Sequence, residues 1–167
     1  MKILLIVPEV RTDEAPYTPA LWSGILGAIA EKKGAEVGLL DLNALRMNYS
    51  GNLIPLEKIE EEISTESWDL VGIGGLTTTY SRMKEIIPLI HKNSPNSIII
   101  AGGGWVTYNP DEIMQLIPEI DLTCIGEGEE TFSEVLDEIQ NKTYNFSNID
   151  GLCIRKEYEF EYTPPRA

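Results

Sequence analysis

Ser97 to Trp105 reads SIIIAGGGW, a run of isoleucines and an alanine with no polar position inside it, closed by three glycines and a tryptophan. Successive side chains of a strand point to opposite faces, so a run that is apolar throughout is buried on both and belongs in a parallel sheet covered on each side. The glycines after it allow the main chain to come close to something else.

Working outward, Ile3 to Val7, Val37 to Asp41, Leu70 to Gly74 and Leu122 to Ile125 have the same character. Helix-period runs lie between them. Thr18-Pro19 offers an N-cap and a proline at the first helical position, and Leu21, Trp22, Ile25, Leu26 and Ile29 then share one face until Gly34 stops the helix. Leu56 to Ile63 reads as a short acidic helix. Met83, Ile86, Ile87 and Ile90 mark another, which Pro88 should kink. Asn109-Pro110-Asp111-Glu112 suits a helix start, and Phe132, Val135, Leu136 and Ile139 give a last amphipathic face. Leu152 to Arg155 and Tyr158 to Tyr162 alternate like a terminal hairpin.

This alternation predicts an α/β fold: a doubly wound five-stranded parallel sheet, flavodoxin-like or Rossmann-like in the order 2-1-3-4-5, over residues 1–145, with a small C-terminal β-hairpin within 146–167. A length of 167 residues suits one such core. With 13 basic against 27 acidic residues and a net charge of −14, the surface repels nucleic acid and anionic membranes, so neither is expected as a partner. The opening run MKILLIVPEV is too short for a signal or a membrane span, which predicts a cytoplasmic protein. Cys124 and Cys153 stand apart from each other and from the single histidine, so no metal ligand set is expected.

In sheets of this kind ligands bind beyond the carboxyl ends of the strands. There the chain places PEVRTDEAPYTP (Pro8 to Pro19), GGLTTTY (Gly74 to Tyr80), GGGW (Gly102 to Trp105) and GEGE (Gly126 to Glu129). Each glycine pair alone reads equally well as a tight turn, and Glu129 and Glu130 suit the start of a helix on dipole grounds alone. Together they form a rim of bare main chain, hydroxyls and aromatic rings. No lysine or arginine follows the third, fourth or fifth strand, which argues against a multiply charged phosphate and for a large, flat, mostly uncharged ligand.

The ordered set KILLIVP (Lys2 to Pro8), LWSGILGAIAEKKGAEVGLLDLN (Leu21 to Asn43), WDLVGIGGLTTTY (Trp68 to Tyr80), IIIAGGGWVTYNPDEIM (Ile98 to Met114) and IGEGEETFSEVL (Ile125 to Leu136) resembles a known family. That family is the amino-terminal cobalamin-binding domain of cobalamin-dependent radical S-adenosylmethionine enzymes, including those similar to the anaerobic magnesium-protoporphyrin IX monomethyl ester cyclase. The resemblance implies that cobalamin is bound here. Gly74-Gly75-Leu76 stands at the family's Ser-x-Leu, and Gly102-Gly103 at the Gly-Gly that makes room for the nucleotide tail. The loop after the first strand lacks Asp-x-His-x-x-Gly, and His91 lies on a helix away from the strand ends. The cobalt is therefore expected to have beneath it water, Glu9, Tyr17 or nothing.

The contact residues implied are Glu9, Tyr17, Gly74, Gly75, Leu76, Thr77, Thr78, Gly102, Gly103, Gly104, Trp105, Gly126, Glu127, Gly128 and Glu129, with Glu127 or Glu129 accepting from the amides of the corrin. No catalytic residue and no metal ligand is expected. S-adenosylmethionine and a [4Fe-4S] cluster would sit in a separate barrel domain of the same polypeptide, whose three ligating cysteines this chain lacks. The chain is thus expected to be an isolated domain, inactive alone, with the start of a linker at its C-terminus. Its partner barrel would carry out methyl transfer or oxidative cyclisation. The rival expectation is a degenerate, cobalamin-free docking domain using Trp22, Trp105 and the hairpin aromatics. A receiver domain would need aspartates where Pro8-Glu9 and Gly74-Gly75 stand, and a flavodoxin-type flavin binder would need a phosphate cradle where RTDEAPYTP stands.

Overall fold

A strand that is apolar at every position needs a helix layer on each side, and the chain supplies both. A computed structural model describes residues 1–10, 20–49 and 52–166. Its strands are β1 (Lys2–Val7), β2 (Glu36–Asp41), β3 (Leu70–Gly74), β4 (Ile98–Gly102), β5 (Leu122–Cys124), β6 (Leu152–Arg155) and β7 (Phe160–Tyr162). They form one sheet in the order β2-β1-β3-β4-β5-β6-β7.

The pairings among β1 to β5 are parallel and follow the expected order. The hairpin is no separate appendage. β6 pairs antiparallel with β5 through Leu122↔Ile154, Thr123↔Cys153 and Cys124↔Leu152, and β7 adds to β6, so the sheet has seven strands rather than five. A short β5 would otherwise present its outer main-chain groups unpaired, and the hairpin satisfies them.

Helices α1 (Leu21–Lys32) and α7 (Glu129–Gln140) cover one face, where Ile3, Leu5, Leu70, Ile100 and Leu122 meet Ala30, Phe132, Val135 and Leu136. Helices α3 (Leu56–Ile63), α4 (Tyr80–Asn93) and α6 (Pro110–Leu116) cover the other, where Leu4, Ile6, Val71, Ile73 and Ile99 meet Ile59, Ile63, Met83, Ile86 and Met114. Neighbours in sequence such as Ile3 and Leu4 thus enter different layers, as the strand period requires.

Two short helices were not expected: α2 (Leu42–Leu45), capped by Asp41, and α5 (Gly104–Tyr108), which follows the glycine triplet directly. Helix α1 begins at Leu21 with Ala20 as its cap position and no side-chain cap; Thr18 and Pro19 lie outside the described residues. Helix α4 runs on through Pro88, with Ile86, Ile87 and Ile90 all buried around it.

Glu9, just beyond β1, is buried inside the fold. Its Oε2 accepts from Arg82 Nε at 2.9 Å and its Oε1 from Arg82 Nη2 at 3.1 Å and from the Ile54 amide at 3.2 Å. Arg82, on α4, also donates to Glu85 and to the Ile54 carbonyl. Burial pulls the Arg82 guanidinium down, but its bonds to Glu9 and Glu85 outweigh that and hold it above its ordinary value. The pair pins three segments together: the end of β1, the chain before α3, and α4.

Removing one partner of such a pair leaves an uncompensated buried charge. Glu9→Ala is expected to lower the unfolding free energy in urea by about 3 kcal/mol, whereas the double variant Glu9→Leu/Arg82→Met should lose much less. A loss below about 1 kcal/mol for the single variant would show that the pair does not hold these segments.

Candidate functional site

At the carboxyl ends of β3 and β4 the two main chains touch. The Gly75 amide donates to the Gly102 carbonyl at 2.9 Å, and a Cβ on Gly103, which has a φ of +104°, would lie 2.3 Å from the Gly75 oxygen. No other residue type fits there. At Gly74 the neighbour is a ring: a Cβ would come within 2.5 Å of Cζ2 and 2.6 Å of Cε2 of Trp22, so the indole rests directly on the strand end.

Beside this contact opens a cleft of about 410 Å3, within the usual size of small-molecule sites. It begins at the switch point, where the chain turns from β1 towards β2 on one side and β3 on the other. From there it descends between the sheet and the layer of α1 and α7, as its lining by Gly72, Ile100, Leu26 and Phe132 shows. Trp22 and Cys124 line the wall, while Leu76, Thr79, Asp41, Asn43, Glu127 and Glu129 stand nearer its polar parts. Among the described lining residues the only ionisable groups besides the Cys124 thiol are the carboxylates of Asp41, Glu127 and Glu129; no lysine, arginine or histidine is among them.

Several of the polar groups are already engaged in shaping the rim. Asn43 donates to the Pro8 carbonyl at 2.8 Å and accepts from the Val10 amide at 2.9 Å, which fixes the start of the loop after β1. Asp41 accepts from the amides of Asn43 and Ala44. The Thr79 hydroxyl is bonded to the Leu76 amide at 3.0 Å. The Gly126 amide of the GEGE loop donates to Thr107 Oγ1 at 3.1 Å, and Arg166 braces the first turn of α7 that follows it, donating to Thr131 Oγ1 and Glu130 Oε2, each at 2.9 Å. Glu130 is thereby held away, and Glu127 and Glu129 remain at the cleft.

Of the residues expected at a ligand, Gly74, Gly75, Leu76, Gly102, Gly103, Gly126, Glu127, Gly128 and Glu129 are brought together around this cleft. Thr77 and Thr78 are exposed on a short 3-10 turn, and Gly104 opens α5 facing solvent; none of the three lies in the described wall. Trp105 packs edge-on against Tyr80, ring centres 4.5 Å apart, on the face of the sheet away from the cleft. Glu9 is corrected to a structural role, since both its oxygens serve Arg82 and Ile54. Tyr17 lies outside the described residues. His91, exposed in the last turn of α4, sits at the opposite end of the sheet, because α4 starts beside the cleft at Tyr80 and runs away from it.

The sequence places Trp22, Leu26 and Phe132 on the apolar faces of helices and marks neither them nor Cys124 as cofactor contacts. The helical spacing of the first three is that of core residues, and the one signal in the sequence is Gly74, whose missing side chain makes room for the Trp22 indole.

Residues 11–136 match the B12 binding domain family. An uncharacterized methyltransferase of Pyrococcus horikoshii is 26% identical over 170 residues, covering 99% of this chain and 35% of that protein. The anaerobic magnesium-protoporphyrin IX monomethyl ester cyclase of Synechocystis sp. is 28% identical over 96 residues, 58% of this chain and 19% of the cyclase. The structure of the cobalamin-dependent S-adenosylmethionine radical enzyme OxsB with aqua-cobalamin and S-adenosylmethionine bound superposes with a TM-score of 0.82 at 20% identity, over 99% of this chain and 22% of that one. That likeness shows the fold. The chain spans between about a fifth and about a third of the length of these relatives. Among the described residues no helix is long and apolar enough to cross a membrane.

One group in the wall titrates in a useful range. Burial pushes the Cys124 thiol up to about 11, so below that pH it stays protonated. Iodoacetamide at pH 8 should therefore modify Cys124 in the ligand-free protein on the order of 100-fold more slowly than a free cysteine. The rate should rise about tenfold per pH unit until the thiol titrates. Peptide mapping by mass spectrometry reads both, and rapid labelling at pH 8 would contradict a buried thiol.

Proposed function

This chain belongs to the B12-binding domain family, and from that premise we propose that it holds a cobalamin at the cleft, with no histidine of its own beneath the cobalt. On this reading it serves a radical S-adenosylmethionine barrel of the same polypeptide, in methyl transfer or oxidative cyclisation. The observation that carries the proposal is the cleft itself: open, apolar in depth, walled by bare main chain, and lacking any cation among its described lining residues.

These residues fit the cofactor. A corrin is wide, flat and edged with amides, and the carboxylates of Glu127, flanked by Gly126 and Gly128, and of Glu129 are acceptors placed at the cleft. The main chain at Gly74, Gly75, Gly102 and Gly103 and the side chain of Leu76 offer surface without bulk. Glu9 no longer competes for the place below the cobalt, because it is committed to Arg82.

A bound cobalamin supplies a cobalt centre that can carry a methyl group or exchange electrons. The chain's own part is to bind, orient and shield. Glu127 and Glu129 fix the rotation of an amide-edged ring by accepting from it, the braced GEGE loop holds them in place, and the apolar depth excludes water from whatever enters it. S-adenosylmethionine and the [4Fe-4S] cluster belong, on this reading, to the barrel.

Anaerobic titration with hydroxocobalamin and methylcobalamin, followed by gel filtration, tests the proposal. Stoichiometric retention with a base-off visible spectrum is the expected result. The double substitution Glu127→Gln/Glu129→Gln should weaken binding about tenfold or more while leaving the unfolding midpoint in place, since charge-assisted bonds are lost and no core contact is. A folded protein that emerges colourless and instead captures a separately expressed barrel would favour the cobalamin-free docking reading.

A further inference from the structure

The deep part of the cleft carries more information than its mouth. Trp22 stands in the first turn of α1 with its indole lying on the main chain of Gly74, close enough that no side chain fits between them. The neighbouring surfaces are Leu26, Gly72, Ile100 and Phe132. The hydroxyl of Thr79 and both ends of the Asn43 amide are bonded to main chain, and the Cys124 thiol is a weak donor. A planar group entering this space finds a large aromatic ring and aliphatic walls, and among the described lining residues no uncommitted side-chain amide or hydroxyl.

Resting on the cobalamin reading above, we propose that Trp22 and the apolar walls beside it form a specificity-determining site: the indole stacks on the base of the cofactor's nucleotide tail, and the walls of Leu26, Ile100 and Phe132 favour benzimidazole-type bases over purines. The physical grounds are two. Stacking on an aromatic side chain favours any flat base. Discrimination comes from polarity, because adenine brings an exocyclic amino group and extra ring nitrogens that lose their water on entry and find no uncommitted side-chain amide or hydroxyl among the described lining residues, whereas a dimethylated benzimidazole brings apolar edges. A site without matching groups rejects a polar analogue more strongly than it rejects a change of size.

The test uses three ligands and two variants, with dissociation constants read from visible spectra and tryptophan fluorescence. The ligands are cobalamin, the cobamide carrying adenine in place of dimethylbenzimidazole, and cobinamide, which lacks the nucleotide tail. The unaltered protein should bind cobalamin at least about tenfold more tightly than the adenine cobamide, and more tightly still than cobinamide. Trp22→Leu should weaken cobalamin about tenfold and leave cobinamide unchanged, and Trp22→Phe should recover much of the loss.

Equal affinity for all three ligands in the unaltered protein would overturn the proposal while leaving cobalamin binding intact, and it needs no variant to fold. Failure to bind any of the three would remove the cobalamin reading and the role of Trp22 with it. A Trp22→Leu variant that loses cobinamide and cobalamin in equal measure would place Trp22 in the general shape of the cleft and not in tail recognition, which also overturns the proposal.

Discussion

The cleft depends on the meeting of two strand ends. The Gly75 amide donates to the Gly102 carbonyl, and Gly103 lies so close that a Cβ on it would come within 2.3 Å of the Gly75 oxygen. This contact sets the spacing of the loops after β3 and β4, from which the wall beside β5 follows. A side chain at Gly103 would wedge the strand ends apart, and it would do so from a backbone conformation that L-residues rarely adopt. The glycines at this rim thus divide in function. Gly74, Gly75 and Gly103 are demanded by Trp22, Met83 and main chain respectively, Gly126 by its φ of +81° although the space around it is open, and Gly104 by neither.

The two helix layers make different use of the same sheet. The layer of α3, α4 and α6 is filled completely, with Met83, Ile86, Ile87, Ile90 and Met114 all inaccessible. The layer of α1 and α7 is closed at its far end, around Ala30, Val135 and Leu136, and opens towards the strand ends, where Gly74 removes the side chain that would meet Trp22 and Gly72 the one that would meet Leu5. Glu9, buried with Arg82 on the filled side, ties the end of β1 to α4 and to the chain before α3.

Much of the fold was legible because strands and helices announce themselves by period. The runs at Leu70 to Gly74 and Leu56 to Ile63 were read to the residue, and the parallel order of the first five strands followed from their apolar character. The hairpin's place was not legible: alternation marks β6 and β7 as strands but does not say which edge they join, and that is decided by the unpaired side of β5. At the site, glycine patterns pointed to the right strand ends, yet the side chains with obvious chemistry misled. Glu9 is a carboxylate in a ligand loop by sequence and half of a buried ion pair by structure, and its partner lies 73 residues away. Trp105 follows the glycine triplet but turns to Tyr80, while Trp22, whose spacing is that of a core residue, reaches the cleft.

The excess of acidic over basic residues takes on a local meaning at the cleft. An anion-binding loop in this kind of sheet offers amides and cations; here the corresponding loop offers Glu127 and Glu129, and the nearby cation, Arg166, is turned outward to Glu130 and Glu134. That arrangement neutralises the carboxylates that face solvent and spares those that face the cleft. Thr107 then holds the loop through the Gly126 amide, and Arg166 braces the first turn of α7 behind it through Thr131, so the acceptors are positioned without being consumed. Fixed acceptors above an apolar slot suit a ligand whose rim donates hydrogen bonds and whose buried part does not, and they disfavour one anchored by phosphate.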